Sequence, residues 1–181
     1  MKVYIHLAEG FEEIEALTVV DVLRRANIHI EMVSVLGTKE VVGAHDIKVV
    51  SDVLFEEANY EDCDMIVFPG GMPGTLNLEK HKELIKIIKD FYSRDKWIAA
   101  ICAAPKILGN LGLLKEKKAT CYPGFEEELV GAKLSDENVV LDSNIITSRG
   151  PGTAITFSLK IVEVLLGKDI SQDLMQKMII L

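Results

Sequence analysis

The chain of 181 residues has only three cysteines, Cys63, Cys102 and Cys121. Their spacing forms no metal-type pair, and three are too few for a disulfide scaffold. Positive charge is also in deficit: 20 Lys and Arg stand against 28 Asp and Glu, a net charge of −8. That balance argues against nucleic acid or an anionic membrane as a main partner. No apolar run approaches the roughly 20 residues needed to span a bilayer. The opening MKVYIHLAEGFEE turns acidic before a signal-peptide apolar region develops. A soluble cytoplasmic protein is the simplest expectation. Repeats, low-complexity segments and linkers are missing too, so residues 1–181 read as one domain with a sizeable core. Only four histidines occur. None follows a candidate nucleophile, so no Cys–His dyad is legible.

What is present is an alternation. Apolar, β-branched runs fall at Val3–Leu7, His29–Leu36, Met65–Pro69, Trp97–Ile101, Val139–Leu141 and Ile145–Ser148. Helical patterns fall at Glu12–Ala26, Lys82–Ser93, Ala103–Leu111 and Gly152–Leu166, with a shorter one near Ser171–Met178. Nearly continuous apolar strands alternating with helices predict a mostly parallel sheet with helices on both faces. Asp142-Ser143-Asn144 marks a hairpin between the last two runs, and Lys39–Val50 a further small β excursion. In such sheets ligands bind beyond the carboxyl ends of the strands, so the residues following each strand are the ones to inspect.

Cys102 ends the fourth run, with a helix-compatible stretch directly behind it. Ala100 and Ala104 flank it at the spacing of the glycines in a G-x-S-x-G nucleophile elbow. Pro105 suits a first helical turn. A thiol at a helix N-terminus should have its pKa lowered from about 8.5. The competing reading is a small buried cysteine closing a core strand. After the third run, Pro69-Gly70-Gly71 brings backbone close to any ligand. The N–H of Gly71, with that of Ala103, is a candidate oxyanion hole. Ordinary turn chemistry explains the same residues. Arg149-Gly150-Pro151-Gly152 follows the last strand and opens a helix, a weaker candidate for the pocket rim. Glu15 shares a helix face with Val19, Val22 and Ala26. A carboxyl in that apolar arc has a raised pKa and is a candidate acid or base. A role complementing the helix N-terminus suits Glu12 and Glu13 better than Glu15.

Five segments together, AEGFEEIEALTVVDVLRRA, IVFPGGMPG, AAICAAP, TCYP and ITSRGPGTA, resemble the ThiJ/PfpI superfamily in order over almost the whole chain. They are most similar to its branch holding the parkinsonism-associated protein (DJ-one) and bacterial relatives. The resemblance implies a flavodoxin-like α/β sandwich and a homodimer. It also implies Cys102 as the reactive thiol, Glu15 as the carboxyl bonded to it, and Gly71 and Ala103 as backbone donors. Gly70, Tyr122, Arg149 and Pro151 fall at the pocket rim. The implied activity needs neither cofactor nor metal: a deglycase or glyoxalase III-like conversion of methylglyoxal, or its early adducts, to lactate. An oxidative-stress sensor or chaperone using an oxidisable Cys102 is the alternative. The partner expected is a small aldehyde or glycated substrate. Peptidase-like members place His directly after the cysteine, where this chain has Ala103, so peptidase activity is not expected. Tyr122 stands where some relatives have His. It donates hydrogen bonds but is a poor base at neutral pH, which leaves Glu15 as the acid/base.

Overall fold

The computed structural model describes residues 1–180. Its strands are β1 (Lys2–Leu7), β2 (His29–Ser34), β3 (Glu40–Val42), β4 (Lys48–Val50), β5 (Val53–Leu54), β6 (Met65–Phe68), β7 (Trp97–Ile101), β8 (Lys118–Ala119), β9 (Lys133–Leu134), β10 (Val139–Asp142) and β11 (Ile145–Ser148). Its helices are α1 (Glu13–Arg25), α2 (Gly74–Lys80), α3 (Lys82–Ser93), α4 (Pro105–Asn110), α5 (Ala154–Leu166) and α6 (Lys168–Lys177). Seven strands form one sheet in the order β10-β11-β7-β6-β1-β2-β5. Every pairing in it is parallel except the β10–β11 hairpin. The Lys39–Val50 excursion is a separate antiparallel pair, β3 with β4.

The strand pattern explains why both faces must be covered. Along β1, Val3, Ile5 and Leu7 enter one core while Tyr4 enters the other. Met65 and Val67 oppose Ile66 and Phe68 in the same way along β6. Side chains alternate with period two, so a strand apolar at every position needs helices above and below. On the first face α1 contributes Ala16, Val19 and Leu23, and α5 contributes Phe157 and Ile161. On the second, α3 contributes Leu84, Ile88 and Phe91, a helical i, i+4, i+7 stripe. At about 25 cal/mol per Å² of apolar area removed from water, these two cores supply the main drive to fold.

The inner strands β2-β1-β6-β7-β11 follow the doubly wound order 2-1-3-4-5, with the switch point between β1 and β6. Two local differences from the sequence reading bear on the site. The helix expected from Ala103 begins only at Pro105, because Ala103 and Ala104 form the turn that reverses the chain after Cys102. A helix over Gly74–Lys80, which the Gly-rich approach hides, follows the loop containing Gly71.

Candidate active site

Cys102 sits one strand from the switch point with φ +64, in the left-handed region that L-residues seldom enter. Such a conformation costs of order 1–3 kcal/mol and persists only where the surroundings fix it. Here both backbone groups are tied: Cys102 N–H donates to Ser148 O at 2.9 Å, and Cys102 O accepts from Tyr122 N–H at 2.8 Å. The side chain is thereby turned off the strand direction and stays partly exposed.

The glycines give the sulfur its neighbours. A Cβ on Gly70 would lie 2.7 Å from Cys102 Cβ, 2.9 Å from Glu15 Oε2 and 3.1 Å from Ala103 N. Gly71 has φ +87, and a Cβ there would overlap Glu12 N and lie 2.6 Å from Gly10 O. With these side chains absent, the N–H groups of Gly71 and Ala103 both reach Cys102 Sγ. The two backbone donors singled out from sequence therefore lie beside the thiol.

Glu15 is fully buried. Its Oε2 accepts the Gly70 N–H at 2.7 Å, and the carboxyl also hydrogen-bonds Cys102. Oε1 has no hydrogen-bond partner among the described residues. Burial raises the Glu15 pKa to about 7, with the nearby Glu12 charge adding and the bonds to Gly70 and Cys102 opposing. For Cys102 the structure reverses the sequence expectation. Burial pushes the thiol up, the Glu15 charge pushes it further, and the Ala103 and Gly71 N–H groups pull it back. The six residues of α4 offer too short a dipole to prevail. Thiol and carboxyl form one coupled pair that holds a single proton above about pH 7.

The other two thiols, Cys63 and Cys121, are buried, whereas Cys102 is partly exposed. Burial pushes Cys63 up to about 12, and its Sγ donates to Met65 O at 3.0 Å. Burial pushes Cys121 up to about 11, with Glu126 adding and Arg149 opposing. Cys121 lies in the α3-side core, whereas Cys102 packs against the α1-side core. Arg149 is not gathered into the Cys102 site. It donates to Asp136 O at 3.0 Å and lines a separate cavity of about 100 Å³ with Cys121, Thr120 and Glu126. Tyr122 is half exposed, its ring against Gly150 and its N–H on the Cys102 carbonyl. Pro151 opens a short 3₁₀ turn ahead of α5.

His45 was not visible from sequence as part of this neighbourhood. Its N–H donates to Glu13 Oε1 at 2.7 Å, and its Nδ1 lies 2.8 Å from Glu13 Oε2 and 3.6 Å from Glu12 Oε2. Ligand atoms of these three residues all lie within 4.8 Å, the sole such grouping among the described residues. The Glu13 bond raises the His45 pKa, and the charges of Glu12 and Glu13 raise it further. The contact spans 32 positions and leaves no local sequence signal.

The DJ-1/PfpI family model matches residues 1–164. Over 170 residues the chain is 43% identical to Protein DJ-1 homolog B of Arabidopsis thaliana, covering 93% of this chain. It spans about two-fifths of the length of that relative, 39%, and 43% of homolog A. It is 34% identical over 170 residues to the Glutathione-independent glyoxalase DJR-1.2 of Caenorhabditis elegans, covering 93% of this chain and 90% of the relative. The solved structure of oxidized DJ-1 from Toxoplasma gondii superposes with a TM-score of 0.94 at 35% identity, covering 98% of this chain and 97% of that one. The chain belongs to the DJ-1/PfpI family.

Proposed function

We propose that the protein is a thiol-dependent glyoxalase that converts methylglyoxal, or its early adducts with amines and thiols, to lactate. The observation that carries this reading is the meeting of one partly exposed sulfur, two backbone N–H groups and one buried carboxyl of raised pKa. A family relative named as a glutathione-independent glyoxalase supports it. The proton shared by the pair moves to Glu15 as the Cys102 sulfur adds to the aldehyde carbon, giving a hemithioacetal. With an amine adduct, the sulfur displaces the amine. The Gly71 and Ala103 N–H groups stabilise the oxyanion; one such donor is worth roughly 10²–10³ in rate. Glu15 returns its proton to O1, giving the hemithioacetal hydroxyl, and as a carboxylate then carries the C1 proton to C2 while the hydroxyl proton passes from O1 to O2. C1 is oxidised and C2 reduced within one molecule, so no outside oxidant is consumed. Water cleaves the resulting lactoyl thioester, releasing lactate and restoring the thiol.

The test is lactate formation from methylglyoxal without glutathione, comparing wild type with Cys102→Ser. Loss of product in the variant and a lactoyl mass increment on the Cys102 peptide after rapid quench are expected. Lactate formed at the wild-type rate by Cys102→Ser overturns the reading. The alternative, an oxidative-stress sensor or chaperone, is favoured by the same partial exposure of Cys102, since the two N–H donors also suit a sulfinate. It leads if peroxide converts Cys102 stoichiometrically to sulfinate while no lactate forms.

A further inference from the structure

Lys106 is the only lysine in the buried class among the described residues. An ammonium withdrawn from water is costly unless it is paired, so its partners explain why it is tolerated. Nζ lies 3.3 Å from Glu79 Oε2 and 3.8 Å from Glu128 Oε1. Asn110, one turn along α4, donates through Nδ2 to Glu79 at 2.8 Å and to Glu128 at 3.1 Å. The network joins α4 to α2 and to the 3₁₀ turn Glu126–Glu128.

The elements it joins carry the two donors on the sulfur. Gly71 is held by its carbonyl, which accepts the N–H of Thr75 in the first turn of α2, at 2.9 Å. Glu79 lies one turn further along that helix. Ala103 is held by its carbonyl, which accepts the N–H of Lys106 itself at 3.2 Å. A single ion pair therefore links the helix behind one donor to the residue behind the other. We propose that Lys106 is a positioning residue, whose clamp on Glu79 and Glu128 sets the spacing between the Gly71 and Ala103 N–H groups around Cys102. The inference rests on the reading of Cys102 as the nucleophile. Lys106 acts through those two peptides and does not touch the reacting atoms.

The test uses Lys106→Met, which keeps the apolar stem and removes the charge, and Lys106→Arg, which restores a cation. Cys102 alkylation by iodoacetamide at pH 8 is read alongside kcat and KM for lactate formation and the thermal midpoint. In Lys106→Met, alkylation and kcat should each fall about tenfold with KM within about twofold, a loss within the range expected for donors misplaced by less than 1 Å. Lys106→Arg should recover most of both. Wild-type alkylation in a folded Lys106→Met, or a loss that Arg does not restore, overturns the proposal. Should Lys106→Met fail to fold, Glu79→Gln and Asn110→Ala test the same clamp from its exposed side. A slowed Cys102 there supports it, and an unchanged one overturns it. A wild-type protein that makes no lactate sinks the glyoxalase reading alone, since alkylation still reports the sulfur's surroundings.

Discussion

Replacing Glu15 by Gln should abolish the stability that wild type loses between about pH 4.5 and pH 7 on this carboxyl's ionisation, while removing its chemistry. The carboxyl has an ordinary value of 4.5 and is raised to about 7 by burial. A folded pKa above the unfolded one means that the folded state binds the proton more tightly. The contribution of this proton to stability is complete below about pH 4.5 and is lost as pH rises through about 7. At about 1.4 kcal/mol for each pH unit between the two values, roughly 3 kcal/mol disappears over that interval. Gln keeps the shape, can accept the Gly70 N–H and does not titrate. The stability difference between Glu15→Gln and wild type should therefore change by about 3 kcal/mol in favour of the variant between pH 4 and pH 8. The second N–H of the amide meets few acceptors in this pocket, which lowers the variant at every pH and leaves the slope untouched. For a chain of this length about 3 kcal/mol corresponds to roughly 6–12 °C in Tm. Urea melts at half-unit pH steps measure it, and taking the difference cancels the titrating groups that do not interact with Glu15. A difference that stays constant from pH 4 to pH 8 would show that Glu15 does not hold its proton in the folded state, and the acid/base role would fall with it.

Other outcomes follow from single contacts. Burial lowers the His6 pKa from 6.5 to about 3. Its contribution is present above about pH 6.5 and lost as pH falls towards 3, so wild type should lose stability on acidification, and His6→Phe should show a shallower acid limb in the same urea melts. Gly70→Ala places a methyl 2.7 Å from Cys102 Cβ and 2.9 Å from Glu15 Oε2. It should cost about 1–3 kcal/mol by overpacking and slow Cys102 alkylation, and an unchanged alkylation rate would refute the packing of the site. Ile14 and Leu17 of α1 are exposed, as is Ile47 beside the β3–β4 hairpin that Glu13 holds against α1. Exposed apolar side chains on this helix suit the proposed homodimer; if it forms through this face, Leu17→Glu should shift the sedimentation coefficient towards the monomer, and an unchanged value would refute the face.

The parallel sheet and its two cores were legible because their cause is local. The central strands β6 and β7 are apolar at every position, and the main helices carry apolar stripes, so the alternation alone dictates layers on both faces. Cys102, Glu15, Gly71 and Ala103 could be singled out for the same reason: small residues around a strand end, and a carboxyl in an apolar arc. The shift of the thiol was not legible, because it belongs to a pair. Cys102 and Glu15 are 87 positions apart in the chain, and the Gly70 N–H that fixes Glu15 comes from a third segment. Read alone, a cysteine behind a strand and before a helix feels only the helix, and its pKa should fall. In the fold α4 is six residues long, burial disfavours the thiolate, and the Glu15 charge lies against it. The same non-local argument separates Arg149 from the site. Its place after β11 puts its backbone at the right sheet edge, but the side chain turns to Asp136, 13 positions earlier. Lys106 shows the same limit. Helical spacing alone cannot tell a solvated lysine from a buried one. The carboxylates that hold it, at Glu79 and Glu128, lie 27 and 22 positions away, on segments that only the fold brings together. Residues that a strand or helix presents by its own geometry can thus be named from sequence. Those whose charge state or orientation depends on a partner from another segment need the fold.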